Sequence, residues 1–426
     1  MPSKQQQNNQ VDIELIVLTA MFPRRHEPYQ GTFVYEQVRA LRKFIKGQIT
    51  VVVMVPWSPR FLWFKKKWKK YGEIERKNII EGIKVFYRRY LVIPGKIYFH
   101  FASIAIYFSC FLLLRKLLRK NNIRAIVHTH TILPIGLAGV LLSKKFKIPH
   151  VCTVHGSDIN IYPSYSRLAY ALTRYALQRS DHIIAVSNKL KEKILTIREG
   201  LNNITVIYNG ADPNKFFPMS KETAKKRLGV DERKKVILFI GNLKPVKGVN
   251  YLLEAFAKLQ HIYKKNDIVL YLIGDGSEKE NLIKLSKKLN IDKNVFFLGR
   301  KDHDEIPIWI NIADIFILPS ISEGFPTVIP EVMMSGVPIV ASDVGGISEV
   351  VIHRKTGILV KPGDINALAE AINSYLSDEQ FTLNIIRNAL EMANKFTWMS
   401  SAENILAIYR EISYGNTEGM PHHYGP

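Results

Sequence analysis

The chain has 426 residues and a formal net charge of +23, long enough for two domains of roughly 200 residues, each with its own core. Its two cysteines, Cys110 and Cys152, exclude a disulfide framework and fit a reducing compartment such as the cytosol. The polar start, MPSKQQQNNQ, lacks the basic, apolar and small-residue regions of a secretory signal, so no export is expected.

In chain order, short apolar and β-branched runs predict strands at IELIVLTA (13–20), ITVVVMV (49–55), AIVHTH (125–130), HVCTVHG (150–156), HIIAVS (182–187) and ITVIYN (204–209). Stretches with helical spacing, such as FVYEQVRALRKF, lie between most of them. From Arg60 to Arg124 there are seventeen Lys or Arg against three Asp or Glu, with aromatics interleaved in WSPRFLWFKKKWKKY. That mixture suits an anionic membrane surface, where each basic residue contributes on the order of 1 kcal/mol. A solvated face and a nucleic acid are the rival readings, but no nucleic-acid-binding signature accompanies the patch and no nucleic acid is expected. The run IYFHFASIAIYFSCFLLL (97–114) is near the minimum length for a membrane span and carries His100, Ser103 and Ser109. A buried or interfacial helix is the better reading.

The polar segment YNGADPNKFFP (208–218) reads as a linker. The rhythm then restarts with VILFIGN, IVLYLIG, VFFLGR, IFILPS, VPIVASD and GILV, alternating with helices such as GVNYLLEAFAKL. Buried strands alternating with helices predict parallel sheets covered on both faces, hence an α/β protein with two doubly wound, Rossmann-like domains facing across a cleft. The expected boundaries are 1–208, 209–395 and 396–426, the last a helix crossing back to the first domain followed by a disordered tail.

In open parallel sheets, ligands bind beyond the carboxyl ends of the strands. There the first half places His128, His130, His155, Gly156 and Asp158. The second half places Asn242, Lys244 and Lys247 in GNLKPVKG, Gly274 and Gly276 in GDG, and Glu323 after IFILPS. GNLKPVKG joins a strand to a helix with glycines and two lysines, which suits a phosphate at a helix N-terminus, although an ordinary basic turn has the same composition and the spacing is not that of a P-loop. GDG is equally readable as a tight turn. In EGFPTVIPE, Thr327 is expected to cap a helix with Pro330 in its first turn, and Gly324 leaves nearby amides accessible to an anion. Glu323 and Glu331, eight positions apart, are expected to address different parts of one ligand; a loop glutamate and a helix-dipole glutamate are the plain alternatives.

The ordered series GNLKPVKG, LIGDG, VFFLG, ADIFILPS, EGFPTVIPE, GVPIVASDVGGISEV and TGILVKPGD, with GTFVYEQVRAL, IVHTH, TVHGSD, AVS and VIYNGAD before it, resembles the retaining glycosyltransferases of family 4 (glycosyltransferase group 1). The resemblance covers about residues 12–412 and implies the GT-B fold. It implies a nucleotide sugar, a UDP- or GDP-hexose, held mainly by the second domain, and a glycan or lipid-linked acceptor on the first. By the same resemblance Glu331 bonds the ribose hydroxyls and Glu323 faces the transferred sugar. Lys247 neutralises the diphosphate, with amides near Gly324, Phe325, Pro326 and Thr327 adding donors. His155 would contact the sugar and Gly31 would mark the loop near acceptor and phosphates. Asn242 stands where many members carry Arg, so Lys244 would have to supply that charge. No cofactor or metal is implied. Asp302-His303-Asp304 spells a metal-binding Asp-x-Asp but sits in a loop before a helix and is read as a coincidence.

The expected activity is hexosyl transfer in cell-surface polysaccharide or glycolipid assembly, in the cytoplasm and peripheral on the inner face of the membrane. Alternatives are a glycogen- or starch-synthase-like transferase, a two-carboxylate glycoside hydrolase, and a nonenzymatic polyanion-binding protein.

Overall fold

A computed structural model describes residues 10–25, 27–60, 66–92, 99, 101–119, 124–263 and 267–415, with nothing taken from the side chains of 66 and 67. The chain divides into two compact units, one formed by Met1–Ile207 with Ser401–Pro426 and the other by Tyr208–Ser400. The tail 417–426, expected to be disordered, lies outside the described residues.

The first unit is built on strands β1 (Glu14–Thr19), β2 (Ile49–Pro56), β3 (Lys77–Ile80), β4 (Ile83–Tyr90), β5 (Ala125–His130), β6 (His150–Val154), β7 (His182–Ala185) and β8 (Ile204–Val206). They form one sheet in the order β3-β4-β2-β1-β5-β6-β7-β8. Every pair is parallel except β3 with β4. The runs of Val, Ile and Leu in β1, β2 and β5 are buried, as strands covered on both faces require.

The hairpin β3-β4 gives part of the basic stretch 60–124 a structural role; residues 61–65, 93–98, 100 and 120–123 of that stretch lie outside the described residues. IKVFYRRY alternates, so Ile83, Val85 and Tyr87 are buried while Lys84 is exposed, and Glu81 and Gly82 take positive φ at the turn. Two of the arginines are internal braces: Arg88 donates to the Ser109 carbonyl and Arg89 to the carbonyls of Gly72 and Ile74. The apolar run after it forms the helix Ala102–Leu117. Ile106, Cys110 and Leu114 on one face pack against Ile16, Met54, Val127 and Ile135 of the sheet core. Among the described residues no helix is long and apolar enough to cross a membrane; residues 97, 98 and 100 of the expected segment lie outside them.

The second unit carries β9 (Lys235–Ile240), β10 (Ile268–Ile273), β11 (Val295–Gly299), β12 (Ile315–Leu318), β13 (Ile339–Ser342) and β14 (Ile358–Val360). Its sheet is wholly parallel, in the order β11-β10-β9-β12-β13-β14. The chain runs outward from β9 to β11, then returns to the other side of β9 with β12. Such a reversal opens a crevice between the loops after β9 and β12.

The segment 208–218, expected as a linker, is packed into this unit. The Tyr208 ring lies 5.3 Å from Phe325 and 5.4 Å from Phe396, its hydroxyl donates to Glu349 Oε2 at 2.9 Å, and Ala211 pairs with Thr397 in a parallel bridge. The helix Trp398–Tyr414 starts in the second unit, and its residues from Ser401 belong to the first.

Candidate functional site

The loop after β9 runs through Asn242 and Lys244 into a turn at Pro245–Lys247, then Gly248 opens the helix Val249–Leu259. Gly248 has φ 63, and a Cβ there would stand 2.1 Å from the Pro319 carbonyl oxygen. Only glycine lets the two loops approach this closely. Ile321 N–H donates to the Val246 carbonyl at 2.8 Å, lacing them together.

That closeness sets Lys247 against Glu323. Lys247 Nζ donates to Glu323 Oε1 at 2.5 Å, and Ser320 Oγ donates to the same oxygen at 2.6 Å. Glu323 Oε2 has no hydrogen-bond partner among the described residues. A third loop, after β13, closes on the same carboxylate segment: Gly346 N–H donates to the Gly324 carbonyl at 2.8 Å. Gly345 packs so tightly that a Cβ would lie 2.1 Å from the Glu323 carbonyl oxygen.

Glu331 is in the first turn of the helix Val328–Met334 and is 7% exposed. Thr327 occupies the N-cap position, but its backbone is already helical and its side chain makes no capping bond, contrary to the cap expected from sequence. Phe325 is buried and packs on Tyr208 and Phe396. Its side chain therefore anchors the loop, and only its backbone is left for a ligand. Gly324, Pro326 and Thr327 are half-buried beside it.

Gly274 and Gly276 have a structural explanation. A Cβ on Gly274 would meet the Gly241 carbonyl oxygen at 1.8 Å, and one on Gly276 the Leu243 carbonyl oxygen at 2.2 Å. They let the loop after β10 support the turn that holds Lys247. Asn242 and Lys244 are exposed on that turn.

The sequence reading missed His303. In the loop after β11 its Nε2 lies 3.0 Å from Glu331 Oε1, its Nδ1 lies 2.9 Å from Lys215 Nζ, and Lys215 Nζ donates to Asp304 Oδ1 at 2.6 Å. The Asp-x-Asp lookalike thus supplies a histidine to the site. Among the described residues no group of three or more His, Cys, Asp or Glu side chains could hold a metal ion. The available signal was positional, since His303 follows the carboxyl end of a parallel strand like the residues that were singled out.

In the first unit, His155 follows β6 and lies against Phe33, with ring centroids 4.7 Å apart. Phe33 is two residues beyond Gly31, which has φ 68 and meets the Met21 carbonyl group too closely for any Cβ. His155 Nε2 is 2.9 Å from His130 Nδ1, and His130 stacks in turn on His128. His128 bonds Tyr409 Oη at 2.5 Å through Nδ1 and Thr153 Oγ1 at 2.7 Å through Nε2. Burial holds all three imidazoles well below their ordinary pKa, so each is neutral near pH 7. Asp158 accepts from the backbone amides of Ile132, His155 and Gly156, which fixes the His155 loop.

Comparison with known proteins agrees with this architecture. Residues 30–215 match the family model described as Glycosyltransferase Family 4, and residues 220–392 match Glycosyl transferases group 1. A Bacillus subtilis protein named as a teichuronic acid biosynthesis glycosyltransferase is 30% identical over 85% of this chain and 89% of its own. Sucrose-phosphate synthase from Thermosynechococcus elongatus superposes with a TM-score of 0.76 at 21% identity, covering 94% of this chain and 99% of that one. Anabaena HepE, solved in complex with UDP-glucose, gives a TM-score of 0.70 at 21% identity over 93% and 99% of the two chains.

Proposed function

The chain belongs to the group 1, family 4 glycosyltransferases and has their two Rossmann-like units of the GT-B fold, and from that premise we propose that it moves a hexose, with retention, from a nucleoside-diphosphate sugar to a glycan or lipid-linked acceptor. The observation that carries this reading is the pair of fixed carboxylates at the switch point of the second sheet, Glu323 bound by Lys247 and Ser320, and Glu331 bound by His303.

The roles follow from the chemistry of each group. Lys247 is the cation placed to offset charge on a departing diphosphate, with the backbone amides of Gly324, Phe325 and Thr327 as further donors and Lys244 and Asn242 on the adjoining turn. Glu323 accepts from a hydroxyl of the transferred sugar, and Glu331 accepts from the ribose diol, for which a carboxylate is a strong acceptor. His155, kept neutral, is the first unit's candidate donor to a sugar hydroxyl, and Gly31 lets the loop before Phe33 turn closely. On this reading the leaving phosphate takes the acceptor's proton, and no metal takes part.

Support for a membrane-side acceptor comes from the helix Ala102–Leu117. Ile104, Phe108 and Leu112 repeat at four-residue spacing on its outer face and are 51%, 68% and 66% exposed. Arg115 and Lys116 follow them in the last turn, and an apolar stripe bordered by cations suits the inner face of an anionic membrane. The same stripe favours cell-surface polysaccharide or glycolipid assembly over synthesis of a soluble storage glucan.

The deciding experiment is Glu323→Gln. Hydrolysis and transfer of donor sugar, followed by mass spectrometry, should fall by about a hundredfold or more, the scale of losing a charge-stabilising group in an active site. The melting-temperature increase given by UDP, GDP or ADP should persist. Undiminished transfer would remove Glu323 from the reaction.

A further inference from the structure

We propose that His303 is a positioning residue that fixes the Glu331 carboxylate for the vicinal diol of the donor, and that Lys215 selects the imidazole tautomer that does so. The proposal rests on the reading of Glu331 as the ribose acceptor, and the geometry adds what holds that acceptor in place.

A lysine ammonium has donors and no acceptor. With Lys215 Nζ 2.9 Å from His303 Nδ1, that nitrogen must offer its lone pair. The one N–H of the neutral ring then sits on Nε2, 3.0 Å from Glu331 Oε1. The direction of the chain is thereby set: Lys215 donates to His303, and His303 donates to Glu331. Asp304 holds the lysine at the far end through its 2.6 Å bond, and the His303 ring also meets Phe216, with centroids 5.6 Å apart. The flipped tautomer would point an N–H at an ammonium and a lone pair at a carboxylate, two repulsions in place of two bonds.

The consequence for Glu331 is orientation. Its carboxylate is almost entirely removed from solvent, and Oε1 is held by His303 while Oε2 has no partner among the described residues. A carboxylate free to turn about its last bond would have to be ordered on binding, whereas one held by a directed N–H presents Oε2 in one place. Two adjacent hydroxyls can then donate to a preset acceptor. A single hydroxyl, or none, gains less from that arrangement.

Calorimetric titration with UDP, GDP and ADP, each beside its 2′,3′-dideoxy form, tests this. The protein should bind one of the three ribonucleotides and discriminate against its dideoxy form. Glu331→Gln should abolish most of the discrimination. His303→Phe should weaken the ribonucleotide about tenfold, as expected for loss of a hydrogen bond to a charged group, and leave the dideoxy form nearly unchanged. His303→Gln, whose amide can accept from Lys215 and donate to Glu331, should recover most of the loss, and Lys215→Met should show a smaller loss of the same kind. His303→Asn replaces the Phe variant if that one does not fold. Equal weakening of both nucleotide forms by His303→Phe, or none of either, would overturn the proposal while leaving Glu331 in place. Full discrimination retained by Glu331→Gln, or no binding of any of the three, would instead overturn the ribose reading beneath it.

Discussion

At the scale of single residues, backbone approach decides more of the site than side-chain contact does. Gly248 and Gly229 both take φ in the left-handed region, at 63 and 66, but a Cβ on Gly229 meets nothing within 4 Å whereas one on Gly248 collides with the Pro319 carbonyl. Gly229→Ala should therefore cost only the conformational penalty, about 1 kcal/mol, with donor affinity intact. Gly248→Ala must separate the loops after β9 and β12, and with them Lys247 from Glu323, so nucleotide affinity should fall about tenfold or more as the cation moves. Melting curves and nucleotide titrations on the two variants check this; equal affinities would show that the spacing of the loops does not matter. Glu323 and Lys247 stand out in sequence as charges that follow buried parallel strands, and the fold brings those two within hydrogen-bond distance of each other; Glu331, inside a helix, stands out only through the family resemblance. His303 was not legible there, because a histidine between two aspartates looks like a metal motif until Lys215 and Glu331 are seen on either side of it. Lys215 could not have been paired with it at all, since eighty-eight residues separate them. Thr327 was over-read: the position is a cap, but the preceding loop already turns helically and leaves its hydroxyl nothing to do there.

At the scale of elements, the two series of strands were plain in sequence because buried parallel strands read as unbroken Val, Ile and Leu runs. The hairpin β3-β4 was hidden by its charges. IKVFYRRY has the period of two that marks a half-buried strand, yet its Lys and Arg were counted as surface charge, and two of those arginines turn inward to backbone carbonyls. The helix Ala102–Leu117 was legible as apolar and ambiguous as to what its apolar residues face. The fold answers for one side, where Ile106, Cys110 and Leu114 are in the core, and leaves Ile104, Phe108 and Leu112 outward. If this stripe meets lipid, the double variant Phe108→Asp/Leu112→Asp should abolish co-sedimentation with vesicles of phosphatidylcholine and phosphatidylglycerol without lowering the melting temperature, because neither side chain is in the core. Wild-type binding should also weaken as salt rises through the physiological range, where exposed charges are screened within roughly 8 Å. Binding by the double variant equal to wild type would move the membrane contact elsewhere.

At the scale of the whole molecule, the chain enters one unit, builds the other, and comes back to finish the first. Tyr409, on the returning helix, is fully buried and bonds His128 at the centre of the first sheet. That sheet concentrates buried imidazoles: His128 and His150 are pushed down to about 3 by burial and His182 to about 4, with His130 and His155 also lowered. The linkage has one sign for all five. Each is neutral in the folded unit and takes a proton when unfolded below the ordinary value of 6.5, so the unfolded state binds more protons and stability falls as pH drops from about 6.5 toward 4. Each group contributes at most about 1.4 kcal/mol per pH unit in that window. Asp158, pushed upward by burial, acts in the opposite sense, but it is one group against five. Several such increments are comparable with the whole stability of a domain, roughly 5–15 kcal/mol. Acidification from pH 7 to 5 should therefore open the first unit before the second. Brief hydrogen exchange read by mass spectrometry should show β5, β6 and the segment 401–415 losing protection together, while β9 and β12 keep theirs. Tyr409→Phe, which removes the hydroxyl partner of His128 and leaves the ring in place, should lower first-unit stability by about 1 kcal/mol and move the onset of opening to higher pH. Loss of protection in β9 and β12 first, or no change with pH in either unit, would show that the buried histidines do not govern acid stability.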